Sequence, residues 1–69
     1  MTAKNIQATV KWIDLEMGFY GLVDQNGNKW LPINLPQRMQ QNGLTVNVKV
    51  QVLHDAVTTN MWGTAVELL

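Results

Sequence analysis

Phe19-Tyr20-Gly21-Leu22-Val23-Asp24-Gln25-Asn26-Gly27-Asn28-Lys29-Trp30-Leu31-Pro32-Ile33-Asn34-Leu35 is the stretch whose reading decides the fold. Two runs rich in apolar and aromatic residues flank Asn26-Gly27, a dipeptide that tolerates the positive φ angles of a type I′ turn, so the stretch reads as a β-hairpin with strands over 19–25 and 28–35. Counting outward from a two-residue turn sets the register. Gln25 then faces Asn28. Asp24 opposes Lys29, Leu22 opposes Leu31 and Tyr20 opposes Ile33 on one face, while Val23 opposes Trp30, Gly21 opposes Pro32 and Phe19 opposes Asn34 on the other. The first face is apolar except for the ion pair near the tip and is the expected core. The second, with Phe19, Val23 and Trp30 pointing outward, is the expected working surface.

On either side of the hairpin the chain continues to read as strands. Ile6, Ala8, Val10 and Trp12 alternate with Gln7, Thr9 and Lys11, the period-two pattern of a half-buried strand over 6–15. After the hairpin, Pro36 opens a helical turn with Met39 directed inward and Gly43 ending it. Leu44, Val46, Val48, Val50 and Val52 then alternate with Thr45, Asn47, Lys49 and Gln51, the clearest strand in the chain. His54 and Asp55 form a turn, and a last strand runs from Val57 to Leu69, with a bulge expected at Trp62-Gly63. Three strands, a short helical turn and two strands make an all-β, five-stranded Greek-key barrel of the oligonucleotide/oligosaccharide-binding (OB) type, in which closure protects the strand edges. An SH3-like barrel is the alternative.

The 69 residues fit one domain spanning 1–69. At this size folding hides only about 60% of the surface an unfolded chain exposes, so the core has little surplus. With no cysteine, neither a disulfide nor a thiolate metal site supplements it, and 46% hydrophobic residues against 14% charged leave apolar packing or self-association to supply stability. Five basic and five acidic residues balance and are dispersed, which gives no field to steer a polyanion. The opening Met1-Thr2-Ala3-Lys4-Asn5 lacks the apolar run of a signal peptide and no stretch has the length of a membrane span, so the cytoplasm is the expected location unless a leader has been removed.

No catalytic constellation stands out. His54, the sole histidine, sits in a polar turn and reads as a solvated loop residue rather than a metal ligand or general base. Asp14, Glu16, Asp24 and Asp55 do not follow an EF-hand spacing, Thr58 and Thr59 have no base nearby, and Gly18 and Gly21 lead into a strand rather than the helix a phosphate loop requires. The expectation is a non-enzymatic chain with no cofactor and no metal. Trp62 has three candidate roles, plugging a barrel end, packing against the short helix or belonging to a subunit interface, of which the structural ones are favoured.

Val10-Lys11-Trp12-Ile13-Asp14, followed by Gly18-Phe19-Tyr20-Gly21-Leu22-Val23, resembles the opening of the cold-shock domain family, where Lys-Trp-Phe-Asn leads into Lys-Gly-Phe-Gly-Phe-Ile. Lys29-Trp30-Leu31-Pro32-Ile33 stands where that family has its second aromatic motif, and Asn42-Gly43-Leu44-Thr45-Val46 resembles its entry to strand four. The resemblance implies that Trp12, Phe19 and Trp30 stack on bases of single-stranded nucleic acid. Three positions depart from the pattern: Met17 replaces a basic residue, Gly21 an aromatic one and Pro32 a histidine. The segments Asp14-Leu15-Glu16-Met17-Gly18-Phe19 and Met61-Trp62-Gly63-Thr64 also resemble uncharacterised small bacterial domains, a likeness that implies no function.

Together these features predict a small binding module whose ligand-contacting residues are Trp12, Phe19, Val23 and Trp30. Neutral charge, methionine content and outward aromatics favour a protein partner or a second copy of the chain. The alternative is weak single-stranded nucleic-acid binding, in which stacking contributes about 1–3 kcal/mol per base while few phosphates are neutralised. No membrane partner is expected.

Overall fold

Residues 3–15, 17–53 and 62–69 are described in the structure, a computed structural model. The alternation around Val10 yields β1 (Ala3–Ile13), an eleven-residue strand long enough to serve two neighbours. Its second half pairs antiparallel with β2 (Phe19–Asp24), from Ala8 opposite Asp24 to Ile13 opposite Phe19. Its first half pairs antiparallel with β4 (Thr45–Val52), from Ala3 opposite Gln51 to Thr9 opposite Thr45. Between them lie β3 (Lys29–Pro32) and a single 3₁₀ turn, Gln37–Met39, while β5 (Thr64–Leu68) completes the sequence. The strands close in the order β1-β2-β3-β5-β4, with β5 parallel to β3 and antiparallel to β4, which is the OB-type barrel. No helix among the described residues is long and apolar enough to cross a membrane.

The core follows the period-two pattern of β1 and β4, completed by Leu22 of β2, Trp30 of β3 and the adjacent Ala65 and Val66 of β5. Val10, Leu22, Val50 and Val66 are fully buried, joined by Ala8, Trp30, Val46 and Ala65. Each fully buried valine or leucine contributes about 1.5–3 kcal/mol from burial, so these few side chains carry much of the barrel's stability. Leu44, Val48 and Val52 pack against them half-buried, as the alternation along β4 predicts, and Met39 reaches inward from the 3₁₀ turn. Asn34 acts as an extra ladder residue beyond β3. Its Nδ2 donates to the Leu68 carbonyl (3.0 Å), and its Oδ1 accepts from the Leu68 N–H (2.8 Å).

The hairpin register differs from the expected one by a single residue. Leu22 faces Trp30 and Val23 faces Lys29. The turn is not type I′. The Gly27 N–H donates to the Asp24 carbonyl (3.0 Å), the Asp24 N–H donates to the Asn28 carbonyl (3.0 Å), and Gly27 has φ +84°. This is a three-residue connection, a type I turn followed by a left-handed glycine in a G1 bulge. The Asp24 carboxylate favours it, because Oδ1 accepts from the N–H groups of both Asn26 and Asn28 at 2.9 Å. A one-residue slip turns every side chain of the partner strand over. Trp30 therefore enters the core at 8% exposure, while Ile33, expected inside, is 60% exposed and Leu31 is half-buried. The expected outward Trp30 is corrected on this ground. The expected turn at His54-Asp55, the residues Glu16, Thr58 and Thr59, and the first part of the expected last strand lie outside the described residues.

Candidate binding surface

β2 has two faces. Leu22 points into the barrel, so Phe19, Gly21 and Val23 point out, and the register sets Lys11 opposite Gly21 and Thr9 opposite Val23. Phe19 and Val23, two of the four residues expected to bind a partner, thus share the outer surface. Both are half-buried.

Gly21 carries no side chain into this surface, and Trp62 occupies the space. A Cβ built at Gly21 would lie 2.3 Å from Trp62 Cζ3 and 2.4 Å from Cη2, so the indole rests directly on the glycine backbone. Phe19 meets the same indole edge-on, with ring centroids 5.7 Å apart and planes inclined at 74°. The Lys29 Nζ lies 5.6 Å from the centre of the Trp62 ring, within cation–π range. Gly63 makes this placement possible: a Cβ there would be 2.8 Å from the Lys29 carbonyl oxygen, so the segment before β5 can press closely against β3. Sequence reasoning left Trp62 between a barrel end, the helical turn and a subunit interface. The available signal was Gly21 itself, because glycine inside a strand marks a place where another group approaches the backbone.

Trp12 belongs to a different cluster. It lies opposite Tyr20 at the end of the β1–β2 ladder, with ring centroids 4.9 Å apart and planes at 67°. Its indole covers Gly18, where a Cβ would fall 2.2 Å from Trp12 Cζ2, and the Trp12 backbone N–H donates to Asn42 Oδ1 (2.9 Å). Trp12 remains 47% exposed. Leu15 and Met17, in the turn that follows, are exposed too, Met17 at 97%. Beside this turn the pairing of β2 with β3 stops at Leu22–Trp30. The ladder would continue at Tyr20 opposite Pro32, which has no N–H to donate. The strands part there into a groove of about 240 Å³ lined by Phe19, Tyr20, Leu31, Pro32, Ile33 and Leu35, among others.

Trp30 contributes to the hairpin rather than to any surface. Its Nε1–H donates to Asp24 Oδ2 (3.1 Å), and the Lys4 Nζ lies 5.6 Å from its ring. Asn28 Nδ2 donates to the same carboxylate oxygen (3.0 Å). Desolvation pushes the Asp24 carboxyl up, but the hydrogen bonds from Trp30, Asn28 and Asn26 outweigh it and hold the pKa below its ordinary 3.8. Among the described residues no group of three His, Cys, Asp or Glu side chains is placed to hold a metal ion.

Chemically, the surface offers aromatic edges, aliphatic side chains and two dispersed lysines. Comparison with family models, with curated proteins and with solved structures finds no match in any of the three.

Proposed function

We propose that this chain is a non-catalytic module that binds a protein partner through the apolar end of the barrel formed by Trp12, Leu15 and Met17 and continued by the groove between Phe19 and Ile33. The observation that carries this reading is the exposure of large uncharged side chains where one short turn and one groove meet, above all Met17 at 97% and Ile33 at 60%. Isolated exposed apolar residues are ordinary, but a contiguous set on a chain of 69 residues marks an interaction surface. Net charge near zero adds to the case, since such a surface attracts by burial rather than by field.

The test compares native protein with a Leu15→Ser/Met17→Ser double variant in quantitative affinity capture. Both substitutions lie in an exposed turn, so the fold should persist. The expected result is a partner retained by the native chain and by Lys49→Gln, and lost at least about tenfold by the double variant. Equal retention by all three proteins would reject the reading.

A second reading rests on the Phe19–Trp62 pair. Two aromatic rings on the outer surface, with Lys29 over one of them and Lys11 on the neighbouring strand, offer a short stacking platform for single-stranded nucleic acid. Oligothymidine should then shift the backbone NMR resonances of Phe19, Lys29 and Trp62 with shallow salt dependence, because few phosphates are neutralised. Unchanged spectra at high micromolar oligonucleotide would remove this alternative.

A further inference from the structure

β1 extends past its partner on one side. β2 ends at Asp24 opposite Ala8, whereas β1 begins at Ala3, so residues 3–7 have β4 on one flank and no paired strand among the described residues on the other. The backbone groups that face the open flank follow from the ladder. The Val10 N–H donates to the Leu44 carbonyl (2.7 Å) and the Val10 carbonyl accepts from the Gly43 N–H (2.7 Å), so Val10 is directed to the β4 side. Backbone direction alternates along a strand. Ala8, Ile6 and Lys4 therefore bond toward β4, and Ala3, Asn5 and Gln7 turn their N–H and C=O groups to the open flank.

Open edges are usually guarded by proline, a bulge or a projecting charge. Ala3–Gln7 contains no proline and keeps regular register with β4 throughout. Its one charge, Lys4, reaches toward the Trp30 ring and is drawn over the end of the barrel. An open cleft of about 140 Å³, lined by Asn5, Ile6, Gln7, Asp24, Gln25 and Asn26, separates the edge from the hairpin tip.

We infer that this edge pairs with a second copy of the chain, the two β1 strands running antiparallel about a two-fold axis through Asn5. The register is self-complementary. With the axis at Asn5, the Asn5 residues of the two copies face each other and Ala3 of each faces Gln7 of the other, so every outward-turned residue meets an outward-turned one. Lys4 of each copy then faces Ile6 of the other. Moving the axis to Lys4 would set two ammonium groups opposite one another, and moving it to Ile6 would place Ala3 of one copy opposite Thr9 of the other, where β2 already lies. The balanced charge of the chain adds no long-range repulsion between copies.

The edge geometry supplies a selective test. In Asn5→Pro the lost N–H is one that faces the open flank, leaving the β4 ladder intact, and proline is tolerated on edge strands in that orientation. Sedimentation velocity from low to high micromolar should show the native chain passing from monomer to dimer, and Asn5→Pro should raise the dimer dissociation constant about ten- to a hundredfold, both central donors being lost. Leu15→Ser/Met17→Ser should dimerise normally, which separates this edge from the apolar end of the barrel. A native chain that stays monomeric, or a dimer indifferent to Asn5→Pro, would overturn the inference. Amide exchange on the native chain is a second readout that needs no variant. Asn5 and Gln7 should gain protection as concentration rises, and unchanged exchange at both would equally overturn it. Protection of the same amides only when a foreign extended peptide is added would replace the second copy with a heterologous strand, and so reject homodimerisation.

Discussion

Asp24 shows how one side chain can set the conformation around it. Its two oxygens accept four hydrogen bonds, two from backbone N–H groups of the turn and two from the side chains of Asn28 and Trp30. The folded pKa lies below the unfolded one, so between the two values the unfolded chain binds more protons. Asp24 therefore stabilises the fold above the unfolded pKa, and that contribution disappears as pH falls through the folded value. Thermal unfolding followed by circular dichroism should show the native chain losing stability as pH falls below about 4, with a flatter acid limb in Asp24→Asn. An identical acid limb in both proteins would show that the carboxylate does not govern it. At this scale the sequence was informative about Phe19 and Val23, whose outward direction follows from alternation with Leu22. It did not place Trp62, because Gly21 signals only that some group approaches the backbone, and no local pattern identifies that group as a residue 41 positions away.

Among the elements, β1 and β4 were legible because each is half-buried and alternates cleanly, and the barrel type followed from the order of strands. The hairpin was legible as a hairpin but not in its register. Asn26-Gly27 serves a two-residue type I′ turn and a three-residue connection with a G1 bulge equally well, and only the hydrogen bonds to Asp24 distinguish them. Both turns need a left-handed residue at position 27, where φ is +84° and no other atom lies within 4 Å of an added Cβ. Gly27→Val should accordingly cost about 1–2 kcal/mol from backbone strain alone and lower the thermal midpoint by roughly 5–15 °C, while Gly27→Asn should cost less. Equal midpoints for native and valine proteins would contradict the left-handed turn.

Across the whole molecule, the slip in register changes what the barrel depends on. Among the described residues eight buried hydrophobic side chains make up the core, and Trp30 is the largest of them. Removing such a side chain costs about 3–5 kcal/mol, comparable with the whole margin of about 3–5 kcal/mol that a small core supplies. Trp30→Ala should collapse the dispersion of the amide NMR spectrum, whereas Trp12→Ala, at a half-exposed site, should preserve it at a cost of about 1 kcal/mol. A folded Trp30→Ala protein would mean that the hairpin is oriented the other way. The same arrangement makes the chain an optical instrument. Trp30 is screened from water beside a carboxylate, Trp62 packs against a glycine near an ammonium group, and Trp12 borders solvent. Three indoles in three dielectric settings give emission bands that separate by wavelength and by access to a soluble quencher. The blue, quencher-resistant component reports unfolding, and the components from Trp62 and Trp12 report events at the surface without any added label.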